Sequence, residues 1–119
     1  MKHFKWDEIP IERVNDKFVR KLAWDGKVMI AWMECERGCR VPPHSHENEQ
    51  LTFVISGSWR FEIDGETIFV GPNEMLHIPS NVVHSAEAVE DLVAYDIFTP
   101  PREDWIKGED AYLRTPDTK

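Results

Sequence analysis

Short segments of alternating residues, cut at close intervals by tight-turn signals, dominate this chain and leave little room for helix. Trp24-Asp25-Gly26-Lys27 and Ile63-Asp64-Gly65-Glu66 contain the Asp-Gly step that closes two-residue hairpins, and Gly57-Ser58 marks a third tight turn. Between and beyond these turns the sequence predicts strands over 18–24, 27–36, 50–56, 59–63, 67–70, 75–78, 82–88 and 92–98. Trp59, Phe61 and Ile63 alternate with Arg60, Glu62 and Asp64, the pattern of a half-buried strand. No helical period is sustained, so an all-β sandwich or barrel is expected. The first sixteen residues read as a loosely structured arm with one turn of helix at most. After Pro100-Pro101, residues 102–106 suit a short helix capping the barrel, and 115–119 a polar tail.

A length of 119 residues suits a single domain over 1–119, with the arm at 1–16, the barrel at 17–99 and the cap and tail at 100–119. A hydrophobic content of 41%, with five Trp and six Phe, is enough for a packed core. The formal net charge of −8 argues against nucleic acid or an anionic membrane as partner. Any anionic substrate would need a locally placed cation. With no long apolar run and no leader-like start, a cytoplasmic protein is expected. Cys35 and Cys39 lack the second pair of a zinc site, so two reduced thiols are expected. Val28, Ile30 and Trp32 alternate with Met29, Ala31 and Met33, making both faces of that strand apolar. A second copy covering the outer face, hence a homodimer, is the expectation.

Chemistry concentrates in two places. The first is His44-Ser45-His46, with Gln50 four residues on and His84 far downstream. Imidazoles at i and i+2 of an extended segment face the same way, and ligands from two later strands can converge on the same ion. Three neutral imidazoles and an amide oxygen suit a divalent transition metal, but they do not choose between nickel, zinc, iron and manganese. Gln50 brings an oxygen without a charge. The ion would keep nearly its full formal charge, as a Lewis acid and an anchor for an anion. His77 falls outside the pattern and is expected to face away, and His3 to face solvent.

The second place is Asp96-Ile97-Phe98-Thr99-Pro100-Pro101-Arg102. Leu92, Ala94, Asp96 and Phe98 share a strand face, and a carboxylate in an apolar row is costly to bury without a partner. The metal site, a substrate hydroxyl or Arg102 would each serve. Burial and nearby charge could bring its pKa into a range useful for proton transfer. Arg102, after two stiffening prolines, is placed to reach over the mouth, where its planar fork suits a carboxylate. A structural hydrogen bond for Asp96, and a surface ion pair with Glu103 or Asp104 for Arg102, are the plain alternatives.

Gly38, five residues, His44-x-His46, three residues, Gln50, six residues and Gly57 together resemble the first motif of the cupin family, where Glu usually stands at the position of Gln50. Gly71 through Ile78-Pro79, then His84, resembles the second. The resemblance implies a double-stranded β-helix, a small jelly-roll barrel with its ligand in the mouth. The stretch 78–88, Asp91, the segment from Asp96 to Trp105, and Asp110-Ala111-Tyr112-Leu113-Arg114 are similar to the pectin-degradation cupins, in which Gln is the expected residue of the metal set. That likeness implies His44, His46, Gln50 and His84 as metal ligands, and Asp96, Phe98 and Arg102 as the functional residues of the mouth. The implied substrate is an anionic 4,5-unsaturated uronate from pectin or alginate breakdown, ketonised to the linear 4-deoxy-5-keto-uronate. Two other classes fit the motifs. One is a metal-dependent cupin dioxygenase. The other is a non-catalytic sugar-acid-binding cupin, which would bind a uronate without converting it.

Overall fold

The structure, a computed structural model, describes residues 1–114; the tail expected at 115–119 lies outside the described residues. Among the described residues, ten strands follow one another: β1 (Glu12–Asn15), β2 (Phe18–Asp25), β3 (Val28–Cys35), β4 (Arg40–His44), β5 (Glu49–Ser56), β6 (Trp59–Ile63), β7 (Glu66–Val70), β8 (Met75–Ile78), β9 (His84–Ala88) and β10 (Leu92–Thr99). A 3-10 turn (Trp6–Glu8) precedes them, and α1 (Glu103–Ile106) and α2 (Ala111–Arg114) follow. One sheet has the order β1-β2-β3-β10-β5-β8 and the other β4-β9-β6-β7, with antiparallel pairing throughout. Two such sheets face to face make the expected jelly-roll barrel.

Local chemistry sets the corners. Asp64 and Gly65 both have positive φ, 54° and 78°, as a two-residue turn between β6 and β7 requires. Gly57 also has positive φ, and a Cβ there would collide with the Asp91 carbonyl, so the closing glycine of the first motif is held by a close backbone approach.

Strand alternation builds the core. β3 buries Met29, Ala31, Met33 and Cys35, and β10 buries Leu92, Ala94, Asp96 and Phe98. Across the barrel stand Trp59 and Phe61 of β6 with Ala86 and Ala88 of β9. Cys35 and Cys39 are buried thiols that form no disulfide with each other.

Three segments differ from the sequence reading. The N-terminal arm contributes β1, an edge strand on β2 whose only buried residue is Val14, too short to show a period. β4 contains Pro42 and Pro43, which cannot donate to a ladder, and its register with β9 slips between Val41 and His44. Cap helix α1 forms where it was expected, but a second helix, α2, follows it.

Candidate metal centre

The barrel brings the first constellation together. His44 ends β4 and stands opposite His84 on β9; Gln50 comes from β5 in the other sheet. His46 lies in the loop after β4 instead of on a strand, yet still turns towards its partners. One ring nitrogen from each histidine lies within 4.8 Å of the others. The His44 and His84 rings are 4.3 Å apart, and His46 is 5.5 Å from His44 and 5.1 Å from His84.

Each histidine is held the same way. Its Nδ1 lies 2.9 Å from a backbone carbonyl two residues away: Pro42 for His44, Asn48 for His46 and Val82 for His84. A neutral imidazole carries one N–H, so these contacts place the proton on Nδ1 and leave a lone pair on Nε2. Burial and the Arg102 charge lower all three pKa values, and neighbouring imidazoles add to the shift of His44, to about 3, and of His46, to about 4. The rings are therefore neutral at pH 7, the form that binds metal.

The donor set fits a cation. His84 Nε2 is buried with no hydrogen-bond partner among the described residues. His46 Nε2 lies 3.1 Å from Gln50 Oε1 while its Nδ1 faces the Asn48 carbonyl. One proton cannot serve two acceptors, so one contact sets lone pair against lone pair, and a cation in the cluster relieves it.

Gln50 is oriented from behind. Thr52 Oγ1 donates to Asp96 Oδ1 at 2.6 Å and accepts from Gln50 Nε2 at 2.9 Å, so the amide oxygen must face the histidines. Thr52 and Asp96 are direct register partners across β5 and β10 and are buried. The chain His46, Gln50, Thr52, Asp96 thus links the candidate metal set to a carboxyl group. Burial pushes the Asp96 pKa up to about 6, partly offset by Thr52, Arg102 and Gln50.

Asp96, only 7% exposed, lies at the floor of the barrel, not at its mouth. It lines an inner cavity of about 30 Å³, room for a water or two. Outside lies a depression of about 450 Å³, within the usual range of small-molecule sites. His44, Arg102 and Tyr112 line both and form the wall between them. Glu47 and Glu103 sit on the outer rim, so attraction for an anion must come from the wall and the ion.

Arg102 is at that wall but is not a free clamp. It is 2% exposed, packed over Phe98 and Trp105, and its Nε and Nη2 already hold both oxygens of Asp104 at 3.0 and 2.8 Å. Among the described residues, Nη1 remains without a hydrogen-bond partner. Phe98 is fully buried, edge-on to His46, and separates the site from the core. His77 pairs with Glu49 on the outside, and His3 is exposed.

Sequence reasoning missed Thr52, Asn48 and Tyr112. Thr52 was findable, since it shares the inward face of β5 with Gln50. The buried Asn48 donates to the Pro100 carbonyl at 2.6 Å and ties the histidine loop to the turn before Arg102, a contact 52 residues apart that no local pattern reveals.

A jelly-roll barrel with three histidines and an amide converging in its mouth defines a class. The chain belongs to the cupin family: the model of the cupin domain matches residues 31–98. Within that family it is similar over most of its length to KdgF proteins. It is 28% identical over 108 residues to the pectin degradation protein KdgF of Dickeya dadantii (strain 3937), covering 88% of this chain and 98% of that protein. The solved structure of KdgF from Halomonas sp. is similar with a TM-score of 0.81 and 30% identity, covering 87% of this chain and 99% of that one. A shorter segment is similar to quercetin 2,3-dioxygenase of Bacillus subtilis (strain 168), 36% identical over 62 residues, 51% of this chain but only 18% of that protein.

Proposed function

We propose that this chain is a metal-dependent enzyme that ketonises 4,5-unsaturated uronates to linear 4-deoxy-5-keto-uronate. The observation that carries this reading is Asp96, a buried carboxyl whose pKa is raised to about 6, hydrogen-bonded through Thr52 to the amide of Gln50. The likeness to pectin degradation protein KdgF supplies the substrate class.

The reaction is an isomerisation that relocates one proton. The C1 hydroxyl loses it, the bond from C1 to the ring oxygen opens to leave an aldehyde and an enolate, and C4 gains a proton as C5 becomes a ketone. A divalent transition metal held by His44, His46, His84 and Gln50 would supply Lewis acidity and a fixed positive charge. Asp96, titrating near neutrality, exists in both forms and suits the proton carrier. It acts through the inner cavity, where there is room for a bridging water. Arg102 adds positive charge at the wall, and Phe98 keeps bulk water out of the relay.

The test follows loss of the unsaturated uronate's ultraviolet absorbance, with metal-loaded wild type beside Asp96→Ala. Turnover by the wild type and little by the variant, at equal metal content, is expected. Equal rates would sink the assignment. The segment similar to quercetin 2,3-dioxygenase favours a second reading, a metal-dependent dioxygenase; oxygen uptake with phenolic substrates would support it instead.

We also propose a homodimer. Val28, Ile30, Ile55 and Met75 are exposed on the outward face of the six-stranded sheet, apolar area that a second copy would cover. Sedimentation at a monomer's mass would refute this.

A further inference from the structure

Tyr112 is the third member of the wall between the inner cavity and the outer depression, beside His44 and Arg102. Its ring centroid lies 4.8 Å from that of His44. Its hydroxyl oxygen accepts from Arg102 Nη2 at 2.7 Å and from Trp105 Nε1 at 3.4 Å. With two donors directed at the oxygen, the O–H hydrogen must point elsewhere, and among the described residues it has no acceptor. A buried or half-buried hydroxyl is normally satisfied as a donor too.

The fold holds this residue firmly from both sides along the chain. Asp110, two residues before it, is fully buried and lies 2.8 Å from Arg20 Nη1, a charge pair poorly aligned as a hydrogen bond. Arg20 is fully buried, stacks on Trp105 and meets Glu12 at 2.9 Å. Arg114, two residues after Tyr112, pairs with Asp110 at 2.8 Å and with Glu12 at 2.5 Å. Leu113 enters the core, and its carbonyl accepts from Asn15 at 2.8 Å. A four-residue helix is not stable alone, so these contacts from β1 and β2 are what fix α2 in place. They hold a phenol at the mouth with one proton to give.

We infer that Tyr112 is a ligand-binding residue of this site, its O–H and Arg102 Nη1 forming a two-donor cleft for a carboxylate oxygen of a sugar acid seated in the outer depression. The inference rests on the proposed uronate substrate. It alters the role of Arg102, whose bidentate edge is taken by Asp104, so that recognition of the anion falls to one remaining Arg nitrogen and a neutral donor beside it.

The experiment titrates zinc-loaded full-length protein with D-glucuronate, a saturated uronate, and with D-glucose as the uncharged control, by calorimetry. Wild type is expected to bind glucuronate more tightly than glucose. Tyr112→Phe, which keeps the ring against His44, is expected to weaken glucuronate binding by about tenfold and leave glucose binding, zinc content and melting temperature unchanged. A role limited to orienting Arg102 is separated by repeating the change in an Arg102→Lys background, where the loss should persist. Unchanged glucuronate binding in Tyr112→Phe, disappearance of the effect in that background, or no preference for glucuronate in the wild type would each overturn the inference. Tyrosine-dependent binding without turnover of the unsaturated uronate would keep the inference and remove the ketonisation reading. Turnover with Tyr112→Phe unchanged in binding would do the reverse.

Discussion

Asp96 offers a stability measurement that reports directly on the electrostatics of the site. Its pKa rises from 3.8 to about 6 on folding, driven first by burial. A carboxyl raised in the folded state favours folding when protonated. Its contribution is fully present below about pH 4 and is lost as pH rises through 6. The shift is about two units, which at 1.36 kcal/mol per unit amounts to about 3 kcal/mol at full ionisation. About 2 kcal/mol of this falls between pH 4.5 and 8. Asp96→Asn removes the titration but keeps an oxygen to accept from Thr52. Its new amide N–H, if unmatched, costs about 1–2 kcal/mol. In chelator-treated protein the variant should therefore gain about 2 kcal/mol on wild type between pH 4.5 and pH 8, read by urea denaturation at each pH. Saturating zinc should shrink the gain, because a nearby cation stabilises the ionised carboxylate. The variant should also lose turnover, a stability gain at the expense of activity. Parallel stability curves for the two proteins across that range would refute the argument that Asp96 is buried without adequate charge compensation.

Three further outcomes follow from the same contacts. Gln50→Glu places a carboxylate in the candidate metal set and beside the Asp96 relay; zinc affinity by competition titration should rise while turnover falls, since the ion loses effective charge and Asp96 is pushed further towards its protonated form. Thr52→Val keeps the shape but strands the Gln50 amide and Asp96, and should cost about 1–3 kcal/mol in denaturant titrations with a lowered kcat. Asp110→Ala leaves buried Arg20 with Glu12 as its remaining ion-pair partner and removes a partner of Arg114, and should destabilise by about 1–3 kcal/mol, with earlier proteolytic cleavage near α2.

The barrel strands were legible because turn signals bound them and side chains alternate within them: Met29, Ala31 and Met33 are buried between less buried neighbours, and Leu92, Ala94, Asp96 and Phe98 between half-buried ones. β1 and α2 were not, because four residues with one buried side chain contain no period; partners on other strands hold them. The histidine set was legible from its spacing, although His46 lies in the loop after β4 and not on the extended segment that the spacing implied. The surroundings of that set were not. Thr52 joins Gln50 to Asp96 across 44 residues, and Tyr112 meets Arg102 where contacts from β1 and β2 dock α2.

By itself, then, the sequence determined the class of fold and marked the histidines that the fold gathers, since local periodicity and turn chemistry are written in near neighbours. Tertiary structure decided which of the charged residues are usable. Packing put Asp96 on the floor of the barrel, not at the rim, and so raised its pKa. It also gave the open edge of Arg102 to Asp104 and brought to the mouth a hydroxyl whose hydrogen has no acceptor among the described residues. Burial and hydrogen-bond occupancy are properties of the folded surroundings, and no spacing along the chain encodes them.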